Sequence, residues 1–546
     1  MTRFSRWIGA VALLAAAMLG LSACGGGGKG SSVTALFGTA PDSLDPGFGY
    51  TTQAAEPDWI VYTPLVTYGH AEGKAGGQVI PGLATTLPKV SADGLTYTLT
   101  LRKGLVYSNG TAVKASDFPY SIERSMKLNW GGKSFYTSNI VGAAAYDKGT
   151  VKTISGIKTN DATGKITIKL LAPYGPFPNV LAFPSSGLVP SGTPMVNEPN
   201  NPPPGDGPYM FSSVTPNKGY TMVQNPHFAA QNIPGIPAGS IKTINVQVVS
   251  TPQQEANSVL NNSADVFDPA DEIPGSLLPQ IESKAKGRFA EVTTAQNYYF
   301  FLNTKTKPFS SLLAREAVIY ALDRTALAKQ AAGFIKPACF FLPTELIGHP
   351  TGPCPYGDAS GPPNLAKAKA LVTQSGMAGT PVTVWGENQS PRKEYVDTYT
   401  QTLNQIGFKA TEKLLARAVY FQQIGSAKTP NLQTGFADWQ QDFPNPVDFY
   451  LLLDAKSIQP VNNQNFGQVN DPFIQAQLAA LDKVPATRLV TVAGKWETLD
   501  TYVAKKAYAA VFGYNKSPKF FSNRIDFGSA IFHPVYFNDW SSWKLK

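Results

Sequence analysis

Strand patterns alternate with helix patterns over most of the chain, and this alternation limits the fold more than any other feature of the sequence. In the segment 95–102, Leu and Tyr alternate with Thr and Arg after an Asp-Gly turn signal, which is typical of a half-buried strand. The segments 165–170 and 244–248 show the same alternation of apolar and polar residues. Strands that alternate with helices favour an α/β fold with mixed sheets.

Several helices and one buried strand are predicted between these segments. Ser116 or Asp117 is a candidate N-cap for one helix, and Thr251, followed directly by proline, is a candidate N-cap for another. A shared apolar face predicts one long helix over 311–332. The continuous aromatic and apolar run at 298–302 predicts a buried strand.

The length of 546 residues is too great for one ordinary hydrophobic core, so two or three lobes are expected. A proline-rich stretch at 173–208 contains three consecutive prolines at 202–204. Consecutive prolines form neither a helix interior nor an inner strand, so this stretch is predicted to be a connection at a lobe boundary.

The first 24 residues have the layout of a bacterial export signal. Arg3 and Arg6 precede an apolar run, and Leu-Ser-Ala-Cys ends at Cys24. This ending looks like a lipoprotein processing site, which predicts a signal peptide at 1–23, lipid on Cys24 and a flexible tether at 24–32. The alternative is an ordinary cleaved signal peptide in which Cys24 is incidental.

Two further cysteines, Cys339 and Cys354, lie in a loop rich in Pro and Gly. An even pair in an oxidising compartment predicts a disulfide. Two free buried thiols are the alternative.

Charge and hydropathy argue against a nucleic-acid partner and against a transmembrane helix. The net charge of +9 is spread thinly, without a block of Lys and Arg, so a nucleic-acid partner is not expected. After the leader there is no apolar run long enough for a transmembrane helix, so any membrane association is expected through the lipid anchor alone.

Motifs for catalysis and metal binding do not assemble in this sequence. Its four histidines lie far apart, without a second His or a Cys pair at ligand spacing, so no metal site is expected. Gly132-Lys133-Ser134 lacks the opening glycine of a phosphate loop, and Ser390-Pro-Arg-Lys393 lacks the companion motifs of penicillin-binding enzymes. We therefore expect binding, with no catalytic residue and no cofactor.

Four blocks in order carry a resemblance to a known family. They are Ser91-Ala-Asp-Gly-Leu-Thr-Tyr-Thr-Leu-Thr-Leu-Arg-Lys-Gly104 with Ser108-Asn-Gly110 and Ala115-Ser-Asp-Phe118, Gly205-Asp-Gly-Pro-Tyr209 with Gln224-Asn-Pro-His-Phe228, Phe301-Leu-Asn303 with Tyr320-Ala-Leu-Asp-Arg324, and Trp439-Gln-Gln-Asp-Phe-Pro-Asn-Pro446. Together they resemble the extracellular solute-binding proteins of the peptide/nickel ABC importer family (family 5, dipeptide/oligopeptide-binding type). The resemblance runs from about residue 33 to the C-terminus.

The resemblance implies an α/β, two-lobed fold like that of periplasmic binding proteins (type II, cluster C), with an inserted subdomain and two crossover hinge strands. The divisions that it implies are lobe I at 33–72, 205–296 and 515–546, the inserted subdomain at 73–204, and lobe II at 297–514.

The resemblance also implies a ligand site. In peptide-binding relatives the acid of the Trp-x-x-Asp block pairs with the amino terminus of the ligand, which points to Asp442. The alternative is that Asp442 caps its loop or pairs with a surface lysine. Trp439 is expected in the cleft wall, with core packing as the alternative. Tyr50, Tyr136 and Tyr514 are further candidates because they lie near segments that face the cleft in relatives.

The function implied is that of a lipid-anchored, monomeric binder on the extracytoplasmic face of the membrane, which captures oligopeptides and delivers them to an ABC permease and its ATPase. The alternatives are a binder of the same fold for a nickel chelate, an oligosaccharide or another small organic solute, and a lipid-anchored cell-wall enzyme. Gln440 and Gln441 stand where the family has small or acidic residues, which leaves the ligand class open.

Overall fold

The structure is a computed structural model that describes residues 31–546. The predicted signal peptide and Cys24 lie outside the described residues. Of the predicted tether, only Ser31 and Ser32 are described, and Ser32 already belongs to the first strand. The folded body therefore begins slightly earlier than predicted.

The strands of the described chain are β1 (Ser32–Phe37), β2 (Val66–Tyr68), β3 (Val79–Pro81), β4 (Lys89–Val90), β5 (Thr96–Thr100), β6 (Ile157–Asn160), β7 (Lys165–Lys169), β8 (Tyr209–Thr215), β9 (Gly219–Gln224), β10 (Thr243–Val248), β11 (Val266–Phe267), β12 (Phe289–Leu302), β13 (Ile335–Pro337), β14 (Pro381–Glu387), β15 (Lys409–Leu415), β16 (Thr434–Gln440), β17 (Ala509–Phe520), β18 (Phe532–His533) and β19 (Phe537–Asn538).

The α-helices of the same residues are α1 (Thr52–Val61), α2 (Gly73–Gly76), α3 (Asp117–Lys127), α4 (Ser134–Thr137), α5 (Ala143–Asp147), α6 (Phe177–Val180), α7 (Phe228–Gln231), α8 (Pro252–Leu260), α9 (Leu278–Lys284), α10 (Leu312–Ala321), α11 (Arg324–Gln330), α12 (Leu365–Gln374), α13 (Arg392–Gln405), α14 (Arg417–Ile424), α15 (Pro446–Tyr450), α16 (Pro472–Leu481) and α17 (Ala493–Lys505). None of them is both long and apolar enough to cross a membrane.

The first lobe is built on a five-stranded mixed sheet with the order β11-β1-β10-β9-β8. β1 runs parallel to β10, with Val33 opposite Ile244, and β9 runs antiparallel to β10. Ile244 and Val246 are buried, as the alternation at 244–248 predicts. The hydroxyl of Thr251 accepts a hydrogen bond from the amide of Gln254, which confirms the predicted N-cap of α8.

A separate four-stranded antiparallel sheet has the order β4-β5-β7-β6. It contains the two strands predicted at 95–102 and 165–170, and Leu99 lies opposite Ile166 in their pairing. Both side chains are buried, so the period-2 pattern identifies the inner face of this sheet.

The second lobe is built on a six-stranded sheet with the order β13-β17-β12-β16-β14-β15. Two neighbouring strands of this sheet, β12 and β17, have 14 and 12 residues and pair antiparallel, with shifts of register between Thr293 and Asn297 and between Tyr298 and Tyr299. Near the first lobe, the side chain of Arg288 donates to the carbonyl oxygens of Val259 (3.1 Å) and Phe521 (2.8 Å). These two strands therefore extend between the lobes, as the resemblance implies.

The sheets agree with the two-lobed fold, whereas the exact divisions of the chain remain predictions. β12 runs across the expected boundary at 296/297, and β17 runs across the one at 514/515. Each strand belongs both to the connection between the lobes and to the sheet of the second lobe. After β17 the chain returns to the first lobe. There Trp540 and Trp543 stack at 5.2 Å, and the Trp540 indole donates to Glu56 over 2.9 Å.

The prediction of one long helix over 311–332 is wrong. α10 ends at Ala321 and α11 begins at Arg324, because the Asp323 carboxylate accepts a hydrogen bond from the amide of Ala326 and caps a second helix. The Arg324 guanidinium is buried and donates to the carbonyl oxygen of Val511 over 2.9 Å.

The predicted disulfide is present. Cys339 and Cys354 are bonded, with their Cα atoms 6.0 Å apart, and close a loop with little regular structure. The proline-rich stretch at 173–208 is a connection, as predicted, but part of it is buried: Leu181, Ala182 and Leu188 are inaccessible to solvent. It therefore contributes to a core as well as joining elements.

Candidate functional site

A cavity of about 560 Å³ lies between the two lobes. The first lobe contributes residues of the loop between β1 and α1, and the second lobe contributes residues of β16, α13 and α14. The charged, amide and aromatic side chains that line it include Asp42, Tyr50, Gln296, Arg392, Arg417, Asp438, Trp439, Gln440 and Asp442. A cavity of this size, between lobes, has room for a small ligand.

The Trp-x-x-Asp segment is positioned by the end of β16. The backbone amide of Asp442 donates to Oδ2 of Asp448 over 2.8 Å, and the Trp439 indole donates to the same oxygen over 3.3 Å. Asp448 is buried in α15, whose first turn is capped by Asn445. Asp448 therefore fixes both predicted residues. The sequence analysis missed it, although it follows the motif directly.

Asp442 faces the cavity and pairs with Tyr50 across the lobes. The Tyr50 hydroxyl donates to Oδ2 of Asp442 over 2.6 Å, while Oδ1 has no hydrogen-bond partner among residues 31–546. Burial raises the pKa of Asp442 to about 7, although the bond from Tyr50 opposes this shift. Burial, and next the charge of Asp442, raise the pKa of Asp448 well above its usual range. The free oxygen of Asp442 can accept a hydrogen bond from a ligand.

The Tyr50 loop is held by a second carboxylate. Asp42 accepts hydrogen bonds from the backbone amides of Tyr50 and Thr51 and from the Thr51 hydroxyl. The ring of Tyr50 packs edge-on against Trp130 at 5.2 Å and against Trp439 at 6.2 Å. A Cβ atom at Gly131 would collide with this ring, so glycine is required there. Tyr50 and Trp439 thus form an aromatic wall.

Tyr136 and Tyr514 are not among the cavity-lining residues of the described chain. Tyr136 stacks behind Trp130 at 5.4 Å, and its hydroxyl lies 2.7 Å from that of Ser186. Tyr514 is buried in β17, where its hydroxyl donates to the carbonyl oxygen of Leu342 over 2.9 Å. Both hydroxyls are used in internal packing, so neither residue takes the position expected for a ligand contact.

A buried cluster of charges, which we call the arginine cluster, reaches the cavity wall through Arg392, Arg417 and Asp438. Its members are Arg392, Arg417, Asp271, Glu272, Glu387 and Asp438. Arg392 contacts three carboxylates, those of Glu272 (3.1 Å), Glu387 (3.2 Å) and Asp438 (3.0 Å). Its guanidinium also lies 4.9 Å from the centre of the Phe436 ring.

The second guanidinium of the arginine cluster joins the lobes. Arg417 pairs with Asp271, donates to the carbonyl oxygen of Ala270 over 3.2 Å and lies 3.6 Å from Glu387. Asp271 belongs to the segment after β11 and also accepts from the amide of Gly38. The sequence analysis did not identify this cluster, because its members are scattered over more than 160 positions and share no motif.

The arrangement is suited to binding. It offers a carboxylate with a free oxygen, an aromatic wall and neutral amides, and a ligand could contact both lobes at once. Within residues 31–546, no group of three or more His, Cys, Asp or Glu side chains is arranged to hold a metal ion.

Comparisons with known proteins agree with this geometry. Residues 78–460 match the model of the bacterial extracellular solute-binding proteins, family 5 (middle region). The chain is 23% identical to the probable D,D-dipeptide-binding periplasmic protein DdpA of Escherichia coli (strain K12) over 469 residues, which covers 82% of this chain and 83% of that protein. It is 28% identical to the glutathione-binding protein GsiB of the same strain over 417 residues, with 71% and 75% covered.

Among solved structures, the fold matches the clavulanic acid biosynthesis oligopeptide binding protein 2 with a TM-score of 0.82. That match has 21% sequence identity and covers 94% of this chain and 95% of the other. At this identity the likeness shows the fold, which is two-lobed and mixed α/β. The family model spans well over half of the sequence. This chain belongs to the family 5 bacterial extracellular solute-binding proteins.

Proposed function

We propose that this protein captures oligopeptides in the cavity between its lobes and delivers them unchanged to the permease of an ABC importer. In this proposal the lobes open and close about β12 and β17. A ligand that contacts both lobes favours the closed arrangement by its differential affinity.

The observation that carries the proposal is the pairing of Asp442 with Tyr50 across the cavity, with one carboxylate oxygen left free. A closed cavity excludes water, so a ligand ammonium group needs a fixed counter-charge and hydrogen bonds. Asp442 supplies the charge. Tyr50 and Trp439 supply flat apolar area beside it.

The remaining features of the proposal concern the location of the protein. Lipid on Cys24 holds the mature chain on the extracytoplasmic face of the membrane, where a short flexible tether raises its effective concentration at the permease. The protein acts as a monomer, and no catalytic step is involved.

Thermal unfolding in the presence of candidate ligands tests the proposal. Pools of peptides, sugars and metal chelates are compared at equal concentration. Binding stabilises the folded state by about 2.7 kcal/mol at a hundredfold excess over Kd. We expect peptide pools to raise Tm, and sugars and chelates to leave it unchanged. A rise with sugars or chelates and none with peptides would overturn the peptide assignment.

A matched pair of variants locates the site. Asp442→Asn removes the proposed counter-charge, whereas Asp482→Asn changes a half-buried acid outside the cavity whose pKa burial likewise raises to about 7. Loss of one partner of a buried charge pair costs about 3–5 kcal/mol, equivalent to a factor of 100 or more in Kd. We expect that loss of peptide affinity in the first variant only. Equal affinity in both variants would remove Asp442 from the site.

A further inference from the structure

The charged groups in the wall of the cavity are unevenly available. Among the described lining residues, the cationic side chains are Arg392 and Arg417, and the acidic ones are Asp42, Asp438 and Asp442. Whether a ligand can use any of them depends on the partners that each already has within the protein.

Both guanidinium groups are already paired. Arg392 contacts three carboxylates within 3.2 Å, and Arg417 pairs with Asp271 and lies 3.6 Å from Glu387. The arginine cluster thus contains four carboxylates and two guanidinium groups, so it has an excess of negative charge. A ligand carboxylate placed there would have to displace a protein carboxylate, and it would be repelled by those that remain.

Asp442 offers a ligand a carboxylate oxygen outside the arginine cluster. Oδ1 of Asp442 has no hydrogen-bond partner among residues 31–546, and neither has the buried side-chain oxygen of Gln440. The amide nitrogen of Gln440 donates to the carbonyl oxygen of Pro534 over 3.4 Å, and its side-chain oxygen is enclosed by protein atoms. Of these two acceptors, the carboxylate oxygen of Asp442 is therefore the one that a ligand can contact.

The other polar groups of the wall are uncharged. They are the hydroxyls of Thr39, Thr51 and Thr52 and the side-chain amides of Gln53, Asn217, Gln296, Gln422, Asn462 and Gln464. Such amides can hydrogen-bond the peptide groups of a ligand, but they do not neutralise a charge. The described lining of the cavity therefore offers a ligand an anionic site and no free cationic site.

We propose that this cavity selects short peptides that carry an ammonium group and have a neutral carboxyl end, such as C-terminal amides, over the same peptides as free acids. The inference rests on the proposed function, because it takes Asp442 as the partner of the ammonium group. It adds the chemical form of the ligand. A free terminal carboxylate within the closed cavity would be buried without a counter-charge, which is strongly unfavourable.

Calorimetric titration with matched peptides tests this proposal. Ala-Phe, Ala-Phe-Ala and Ala-Phe-Ala-Ala are each compared as C-terminal amide and as free acid. We expect the amide to bind at least tenfold more tightly at each length, and N-acetylation of the amides to abolish binding. Equal or tighter binding of the free acids would overturn the inference and leave the proposed function intact. If no peptide binds in either form, the inference and the proposed function are both wrong.

Variants of the arginine cluster give a second test. Asp271→Asn removes the charge that occupies Arg417 and keeps an oxygen that can accept from Gly38. We expect this variant to bind free acids more tightly and so to reduce the preference for amides, while the control Asp482→Asn keeps the preference of the unchanged protein.

Arg417→Gln separates the inference from its rival, in which Arg417 releases Asp271 and takes the ligand carboxylate. The rival requires a loss of affinity for free acids that amides do not share. We expect no such selective loss, and observing it would overturn the inference. Circular dichroism melting curves confirm that each variant is folded before it is titrated.

Discussion

The hydroxyl of Tyr50 donates a hydrogen bond of 2.6 Å to the carboxylate of Asp442, although the two residues are 392 positions apart in the chain. One residue belongs to the first lobe and the other follows β16 of the second lobe. The bond therefore connects the lobes at the place where the cavity carries its most available negative charge.

Replacing Tyr50 by Phe removes this hydrogen bond and retains the ring. The bond holds down the pKa of Asp442, so its loss raises that pKa and makes the charged form scarcer at neutral pH. We expect affinity for a peptide ammonium to fall by about tenfold, since a hydrogen bond to a charged group contributes about 1.5–3 kcal/mol. Titration calorimetry at pH 7 measures the change.

Tyr136→Phe is the control for that variant. It also removes a hydroxyl, but one that lies 2.7 Å from that of Ser186 behind Trp130. We expect unchanged affinity in this control. A loss in Tyr136→Phe as large as that in Tyr50→Phe would mean that the effect comes from general packing of the aromatic wall.

Peptide binding is expected to depend on pH through Asp442. Burial raises the pKa of this carboxyl to about 7, so below that pH it becomes neutral and no longer attracts an ammonium group. We expect Kd to be weaker at pH 5.5 than at pH 7.5 by roughly a factor of ten or more. A pH series of titrations measures this, and in Asp442→Asn the dependence should disappear.

Asp442→Asn is also expected to stabilise the protein without ligand at high pH. The folded-state pKa is raised above the unfolded value, so the charged carboxylate destabilises the fold progressively as pH rises from about 4 to about 7. An amide carries no such charge. We expect a higher Tm than the unchanged protein at pH 8, and little difference at pH 4.

Asp471 gives a control of opposite sign. Burial raises its pKa, but hydrogen bonds from Tyr508 and from the amides at the start of α16 outweigh this and lower it. Its charged form therefore stabilises the fold above the unfolded pKa, and this contribution is lost as pH falls through the lower folded-state pKa. We expect Asp471→Asn to lower Tm at pH 8. Equal changes of Tm at pH 8 in Asp442→Asn and Asp471→Asn would contradict the opposite pKa shifts of these two carboxyl groups.

Removal of the disulfide between Cys339 and Cys354 is expected to lower stability without changing ligand affinity. The two residues are 15 positions apart, and a loop of this size corresponds to about 3 kcal/mol in the chain-entropy model. Neither cysteine is among the described residues that line the cavity. Urea unfolding of the double variant to Ser measures the loss, and the unchanged protein in reductant should lose the same amount.

Local patterns in the sequence were sufficient for many elements. The alternation at 95–102 and 165–170 identified β5 and β7, and a threonine before a proline identified the start of α8. These features depend on residues within a few positions of one another. The prediction of one long helix over 311–332 was wrong because the apolar face continues past Asp323. The capping hydrogen bond of that one side chain starts a new helix there.

The ligand site was only partly predictable. The Trp-x-x-Asp block pointed to Asp442 and Trp439, and the structure brings both to the cavity together with Tyr50. Tyr136 and Tyr514 lie close to the same segments, yet their hydroxyls are used within the protein. Which side of a strand or helix faces the cavity is decided by how the lobes meet, and no local pattern contains that information.

Periodicity and capping in the sequence by itself predicted the α/β class of fold, because they are properties of neighbouring residues. The resemblance carried by the four motif blocks implied the family and pointed to Asp442, which lines the cavity. Only the tertiary structure decided that Tyr50 pairs with Asp442 and that both guanidinium groups of the cavity are neutralised by carboxylates. The tyrosine pairing joins residues 392 positions apart, and the pairings of Arg392 with Asp438 and of Arg417 with Asp271 join residues 46 and 146 positions apart. They depend on burial and distance between lobes, which determine whether a charge is free for a ligand or already used by the protein.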